Sequence, residues 1–194
     1  TAVTAVGAQL VIATRDADAA FFAARAGELH ARGVWCLGGP KAAVEACSDK
    51  LAFAEVLAEA GVPVIATTTD PALLAVDRLV VKERRGAGSL RVGLDLAPGP
   101  AAAAAAALVE PVFQPFVPGP EVSIDAYRAR DGRVLGLVAR TRDLVVGGES
   151  QVSTTVDAGP YEALATTALT ALGLTGHAVL QAIVGPAGPP LVEC

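Results

Sequence analysis

The segment RLVVKERRGAGSLR, Arg78 to Arg91, combines residue types that hold polyanions. An apolar run delivers Lys82, and a loop of Gly86, Ala87, Gly88 and Ser89 follows with arginines on either side. Small residues let backbone N–H groups approach phosphate oxygens closely, and a lysine fixed on a strand adds a positioned point charge. The spacing is neither the GxxxxGK(S/T) of a P-loop nor the GxGxxG of a dinucleotide turn, so neither architecture follows from it. Taken alone, the segment reads equally as a hairpin with a glycine bend and solvated arginines.

Other candidates are scattered along the chain. Lys50 lies at a helix start in CSDKLAF, and Glu121 follows Gly119-Pro120 in VFQPFVPGPEVSIDAY. Arg140 and Arg142 are two residues apart on a strand, so alternation puts both on one face, either a cleft or a solvated stripe. Gln181 and Glu193 are oxygen-bearing side chains on the last two expected strands. Each has a plainer reading: a helix-surface lysine, an edge-strand carboxylate, a glutamate near a chain end. His177 reads as a hydrogen-bonded structural residue, and Cys36, Cys47 and Cys194 as small buried apolar side chains.

The elements that must position these residues follow from periodicity and breakers. Gln9 to Thr14 reads as a strand, Asp16 to Arg32 as a helix stopped by Gly33, and Val34 to Leu37 as a second strand, a short βαβ unit. Ser48 caps a helix over Asp49 to Ala60 whose stripe is Leu51, Phe53, Val56 and Leu57; Gly61 and Pro63 stop it. Leu79 to Glu83 and Arg91 to Leu96 form a hairpin around the glycine loop, and Ala101 to Val109 is helical. Val112 to Val117, Glu121 to Arg130 and Arg133 to Arg142 alternate apolar and polar residues as an antiparallel sheet, with Asp131-Gly132 as a turn. Tyr161 to Leu172 is a helix, and Ala178 to Val184 and Pro190 to Cys194 are strands joined by Gly185-Pro186-Ala187-Gly188.

The bulk properties narrow the partners. The 194 residues are 53% hydrophobic, ample for a core, and the net charge of −5 argues against a nucleic-acid surface, which needs an extended basic face. No apolar run approaches the roughly 20 residues that span a bilayer, so no membrane partner is expected. Three cysteines without CxxC spacing and two histidines argue against a disulfide framework or a zinc site. A reducing, cytoplasmic setting is the expectation. The absence of methionine leads us to expect a processed or truncated amino terminus.

In their order along the chain, the Lys50 helix start, the Lys82 strand with its glycine loop, the Gly119-Pro120-Glu121 strand entry and the late Gln181…Glu193 pair resemble the ATP-grasp superfamily. The carbamoyl-phosphate-synthetase-like, carboxylate–amine ligase branch looks most similar. The resemblance covers Cys47 to Cys194 and implies an α+β fold in which two α+β lobes sandwich ATP, with an α/β remnant in front. It divides the chain into a partial preceding α/β segment (1–47), a first lobe with the glycine-rich lid (48–112) and a second lobe (113–194). That second lobe is expected to be incomplete at its end, because the family's last strand reads Glu-x-Asn and this sequence stops one residue before the asparagine.

The resemblance also implies roles. Lys50 and Lys82 would meet the nucleotide phosphates, with Arg84 as a further phosphate group and Gly86, Ala87, Gly88 and Ser89 as the lid. Gln114, Pro115, Phe116 and Val117 would form the hinge at the adenine edge, and Glu121 would accept the ribose hydroxyls. Gln181 and Glu193 would hold Mg2+, or Mn2+ in its place. Arg140 and Arg142 would steady the transferring phosphoryl group, catalysis being largely electrostatic positioning. The implied activity is ATP-dependent ligation, in which a small-molecule carboxylate becomes an acylphosphate and an amine displaces the phosphate, with a homodimer allowed. The alternatives are an ATP-binding sensor or scaffold without turnover and a carbamoyl-phosphate-type phosphotransferase.

Overall fold

A computed structural model describes residues 2–86 and 92–194. After a short helix α1 (Ala2–Ala5), strands β1 (Leu10–Ile12) and β2 (Trp35–Leu37) pair in parallel, joined by helices α2 (Asp16–Ala23) and α3 (Ala26–His30). The single helix expected over Asp16 to Arg32 is therefore two. Arg25 leaves helical geometry at φ −116° and ψ 8°, and its guanidinium folds back over the Phe21 ring at 3.9 Å.

Helix α4 (Lys41–Cys47), starting after the extended Pro40, has no counterpart in the expected elements. Its presence changes the capping of the next helix, α5 (Lys50–Glu59). Ser48 is still helical and spends its hydroxyl backwards on the Val44 carbonyl at 2.8 Å, whereas Asp49 takes the extended backbone an N-cap needs. Its carboxylate accepts from Leu51 N at 3.1 Å and Ala52 N at 3.2 Å, so Asp49, not Ser48, is the cap. At the other end Gly61 adopts φ 68°, and Val62 N and Gly61 N return to the carbonyls of Leu57 and Ala58, the paired bonds that close a helix.

β3 (Leu79–Glu83), β4 (Gly93–Leu96) and β5 (Pro111–Pro115) make a three-stranded antiparallel sheet of order β4-β3-β5. Helix α6 (Pro98–Ala105) packs Ala101 and Ala105 onto Leu79, Val81 and Phe113. The helix begins at Pro98 rather than Ala101, because proline is tolerated in a first turn whose N–H groups need no intrahelical partner. β5 was expected to join the strands that follow it. It instead pairs with β3, Val81 opposite Phe113, so the division at residues 112 and 113 runs through this strand.

The second sheet is five-stranded and antiparallel: β6 (Glu121–Arg128), β7 (Val134–Val146), β8 (Glu149–Val156), β9 (Gly176–Ile183) and β10 (Leu191–Glu193), in the order β10-β9-β6-β7-β8. β7 runs past Arg142 to Val146, and β8 is a strand the sequence reading missed. Helix α7 (Gly159–Ala171) crosses one face, where Ala165, Ala168 and Leu169 join Val122, Ile124, Ala139, Leu180 and Ala182, with Phe53 and Leu57 of α5, in the main core. Alternation sends Glu121, Ser123, Asp125, Arg140, Arg142, His177 and Gln181 to the opposite face. No helix of the described residues is long and apolar enough to cross a membrane.

Candidate functional site

On β3, Leu79 and Val81 point into the smaller core, so Lys82 emerges on the other side, yet it remains only 7% exposed. Its ammonium lies 3.9 Å from Glu193 Oε2 on β10. Burial pulls the Lys82 pKa down to about 8; Glu193 and Glu121 oppose the shift while the charge of Lys50 adds to it. Lys50 occupies the first helical position of α5, is also buried, and donates from Nζ to the Gly86 carbonyl at 2.8 Å. The α5 start is fixed to the end of β3 by the main-chain bond from Lys50 N to Arg84 O at 3.0 Å.

From Glu193 a polar chain crosses the face of the larger sheet opposite α7. Gln181 stands opposite Glu193 in the β9–β10 register. In the orientation that turns its amide nitrogen to the acids, Gln181 donates to Glu193 Oε1 at 2.8 Å and to Glu121 Oε1 at 3.2 Å. Glu121 Oε1 also receives Nη1 of Arg142, whose Nη2 donates to the Gly148 carbonyl at the β7–β8 turn. Arg142 is 9% exposed, and its Nε is buried with no partner among the described residues. Arg140, on the same face, donates to Asp125 Oδ2 at 2.7 Å and to Ser153 Oγ at 3.1 Å, and His177 Nε2 lies 3.6 Å from the other Asp125 oxygen.

Lys50, Lys82, Glu121, Arg142, Gln181 and Glu193 thus converge, with Arg140 one step further along the sheet. Arg84, also expected there, does not. Arg84 forks onto Asp49, Nε to Oδ1 at 2.7 Å, and Arg85 reaches Asp49 at 2.7 Å while its other arm holds Glu110. Burial alone would raise the Asp49 pKa, but Arg84, the Ala52 amide and Arg85 together hold it below the usual carboxylate value. Gln114, expected at the adenine edge, pairs with Val80 and so shares the Lys82 face of the smaller sheet, where it is 2% exposed and donates to Thr67 Oγ1 at 2.8 Å. Pro115, Phe116 and Val117 do run between the two sheets, with Phe116 N bonded to the Arg78 carbonyl at 2.9 Å. Of the lid, Gly86 is described, with φ 117°, and Ala87, Gly88 and Ser89 lie outside the described residues.

Sequence reasoning missed Asp49 as the common anchor of the α5 start, Arg84 and Arg85. The signal was its place immediately before Lys50, where an extended carboxylate caps the helix. Among the described residues no three Cys, His, Asp or Glu side chains gather as a metal cluster. Glu193 with the neutral Gln181 is a two-donor set, which suits an ion that takes its remaining ligands from phosphate and water.

A model of the ATP-grasp domain family matches residues 47–194. A comparison with curated protein sequences yields no match. Among solved structures, the chain is similar to the biotin carboxylase domain of Hydrogenobacter thermophilus 2-oxoglutarate carboxylase, a dimer in complex with MgADP, ADP and bicarbonate. That similarity has a TM-score of 0.78 at 17% identity, over 99% of this chain and 49% of that one. It is also similar to D-alanine–D-alanine ligase from Bacillus anthracis complexed with ATP, with a TM-score of 0.72 at 16% identity over 98% and 68% of the two chains. VanG D-Ala:D-Ser ligase from Enterococcus faecalis gives a TM-score of 0.74 at 16% identity over 95% and 62%. The chain thus spans about half the length of the biotin carboxylase domain.

Proposed function

This chain belongs to the ATP-grasp family, and on that premise we propose that it is an ATP-dependent ligase that activates a small-molecule carboxylate for attack by an amine. The observation that supports this reading best is the approach of Lys82 to Glu193: a buried cation from one sheet lies 3.9 Å from an acid of the other. In this reading the nucleotide lies between the lobe of residues 48–112 and that of residues 113–194. Lys50 and Lys82 hold the phosphates, residues 114–117 run beside the adenine, and Glu121 accepts the ribose hydroxyls.

The donor set fits a magnesium ion in character. Glu193 provides a charged oxygen, and Gln181 provides a second when its amide turns. Glu193 and Gln181 would hold the ion, which would supply positive charge to the phosphate oxygens. The chain's own part is positional: buried Lys82 offers its charge in a poorly hydrated setting, where it is worth more than in water. Arg140, steadied by Asp125 and Ser153, presents a guanidinium to the charge that shifts as the phosphoryl group passes to the carboxylate. The amine then attacks the acylphosphate carbonyl, the C–O bond to phosphate breaks, and inorganic phosphate leaves.

Mg-ATP titration of the wild type and Lys82→Ala tests the binding part, and ADP release over a panel of carboxylates with hydroxylamine as nucleophile tests the chemistry. Loss of affinity on substitution together with carboxylate-dependent hydroxamate supports the ligase. Affinity that does not change in Lys82→Ala would refute the proposed phosphate site. A second reading is a nucleotide-binding module without turnover, favoured by the neutral Gln181 that stands opposite Glu193, a weaker donor than a second carboxylate. Tight Mg-ATP binding with no ADP release for any carboxylate would select that reading.

A further inference from the structure

We propose that Cys47 and Cys194 form a peroxide-responsive dithiol, which closes to a disulfide that ties the end of β10 to the α4–α5 junction and weakens Mg-ATP binding. Both are free thiols, half-buried against the main core. They come from the two ends of the matched domain, Cys47 as the last residue of α4 and Cys194 just after β10, and their side chains hydrogen-bond to each other. Cys36, the third cysteine, stands on β2. The effect on binding rests on the reading of Glu193 as a metal-holding acid; the bond itself does not.

Each thiol stands beside a group of the nucleotide site. Cys47 lies just before the Asp49 cap and Lys50, and Cys194 follows Glu193 directly. β10 is pinned at its start, where Leu191 N bonds the Pro63 carbonyl at 3.0 Å and Ile65 N the Leu191 carbonyl at 2.9 Å. A register shift after Leu191 then turns Glu193 to the face of Gln181. A disulfide holds its sulfurs at about 2 Å, nearer than a thiol–thiol hydrogen bond, so closure draws the far end of β10 toward α4 and shifts Glu193 from Gln181 and Lys82. Peroxide supplies the oxidising equivalents. The sulfur of Cys47, next to the exposed Ser48, attacks one peroxide oxygen; the O–O bond breaks, and the thiol proton leaves with the displaced hydroxide as water. The Cys194 sulfur then attacks the sulfenic sulfur of Cys47, the S–O bond breaks, and a second water carries off the Cys194 proton. The two sulfurs together lose two electrons and the peroxide gains two. In a reducing compartment such a bond is transient, which suits a switch rather than a permanent staple.

Hydrogen peroxide in modest excess over the reduced whole chain tests this, read by non-reducing proteolysis with mass spectrometry and by isothermal titration of Mg-ATP. A peptide that links Cys47 to Cys194 within one chain is expected, with Mg-ATP affinity lowered by about threefold to tenfold and restored by dithiothreitol. Cys47→Ser and Cys194→Ser should bind Mg-ATP as the reduced wild type does, before and after peroxide, while Cys36→Ser should respond as wild type does. Treated wild type that yields no linked peptide overturns the proposal. So does a linked chain that binds Mg-ATP as tightly as the reduced one, or a Cys47→Ser chain that still loses affinity in peroxide. Should a serine variant not fold, the wild-type comparison before and after dithiothreitol decides by itself. Reduced wild type that binds no Mg-ATP overturns the reading of the nucleotide site, and the linked peptide alone then decides the bond.

Discussion

Lys82 Nζ stands 3.9 Å from Glu193 Oε2, an approach between the central strand of the smaller sheet and the edge strand of the larger one. The attraction does not cancel the cost of burial, since Lys82 keeps a pKa of about 8 against an ordinary 10.5. Its charged form is therefore disfavoured in the folded protein relative to the unfolded chain. The resulting loss of stability is fully present below about pH 8 and disappears as pH rises from 8 toward 10.5.

Lys82→Met should accordingly stabilise the nucleotide-free protein at pH 7. The gain should be on the order of 1 to 3 kcal/mol, reduced because Glu193 and Glu121 lose an attractive partner. Urea unfolding at pH 7 and at pH 10 checks both sign and window: the advantage should shrink at the higher pH. A variant less stable than wild type at pH 7 would show that the ion pair outweighs the burial of the cation.

Asp49 does for the first lobe what no single cation could. Its carboxylate caps α5, holds Arg84 and Arg85, and so joins the helix that carries Lys50 to the strand end that carries Lys82. Asp49→Ala leaves Arg84 without its acid, Arg85 with Glu110 alone, and two amides without their cap. A loss of roughly 3 kcal/mol is expected. Asp49→Asn, which can still cap, should lose less. Since the folded pKa is depressed, the contribution of Asp49 is present above the ordinary carboxylate pKa and is lost as pH falls through its folded value. Thermal unfolding at pH 7 of the three proteins reads this order, and equal midpoints for Asp49→Ala and wild type would show the anchor to be inert.

Much of this arrangement is written in alternation and in breakers. VVK between apolar neighbours places Lys82 on the face opposite Val81, and the spacing of Arg140 and Arg142 gives them one side of β7 with Asp125 and Glu121 across the ladder. What alternation does not encode is which sheet a strand joins. The strand of Phe113 and Gln114 lies between two sheets in sequence, and only its long-range pairing with β3 decides that Gln114 turns to Thr67. β8 escaped notice because ESQVSTTV holds only two apolar residues, Val152 and Val156, among polar ones, although Gly147-Gly148 before it is a hairpin turn signal. The partners of Arg84 were likewise hidden, since Asp49 lies 35 residues away in sequence. A loop rich in cations reads the same whether they face a ligand or a buried acid.

Gly119, two residues before Glu121, lies hard against the backbone of Val184. A Cβ built there would lie 2.3 Å from the Val184 carbonyl oxygen, and the residue's φ of 154° is one that L side chains rarely adopt. The obstacle is backbone, and it is not free to yield: Val184 N is bonded to the Pro120 carbonyl at 2.9 Å, and Ile183 pairs with Glu121 in the β6–β9 ladder. Any displacement that admits a methyl group therefore moves the start of β6 against β9, and Glu121 against Gln181. Gly119→Ala should cost roughly 2 to 4 kcal/mol and lower Mg-ATP affinity at the same time. Gly136→Ala is the fitting control, because nothing lies within 4 Å of its added carbon, and it should change stability by no more than about 0.5 kcal/mol. Denaturant unfolding with parallel nucleotide titration separates the cases. If Gly119→Ala matched Gly136→Ala in both measurements, the close approach at Val184 would have no part in setting Glu121.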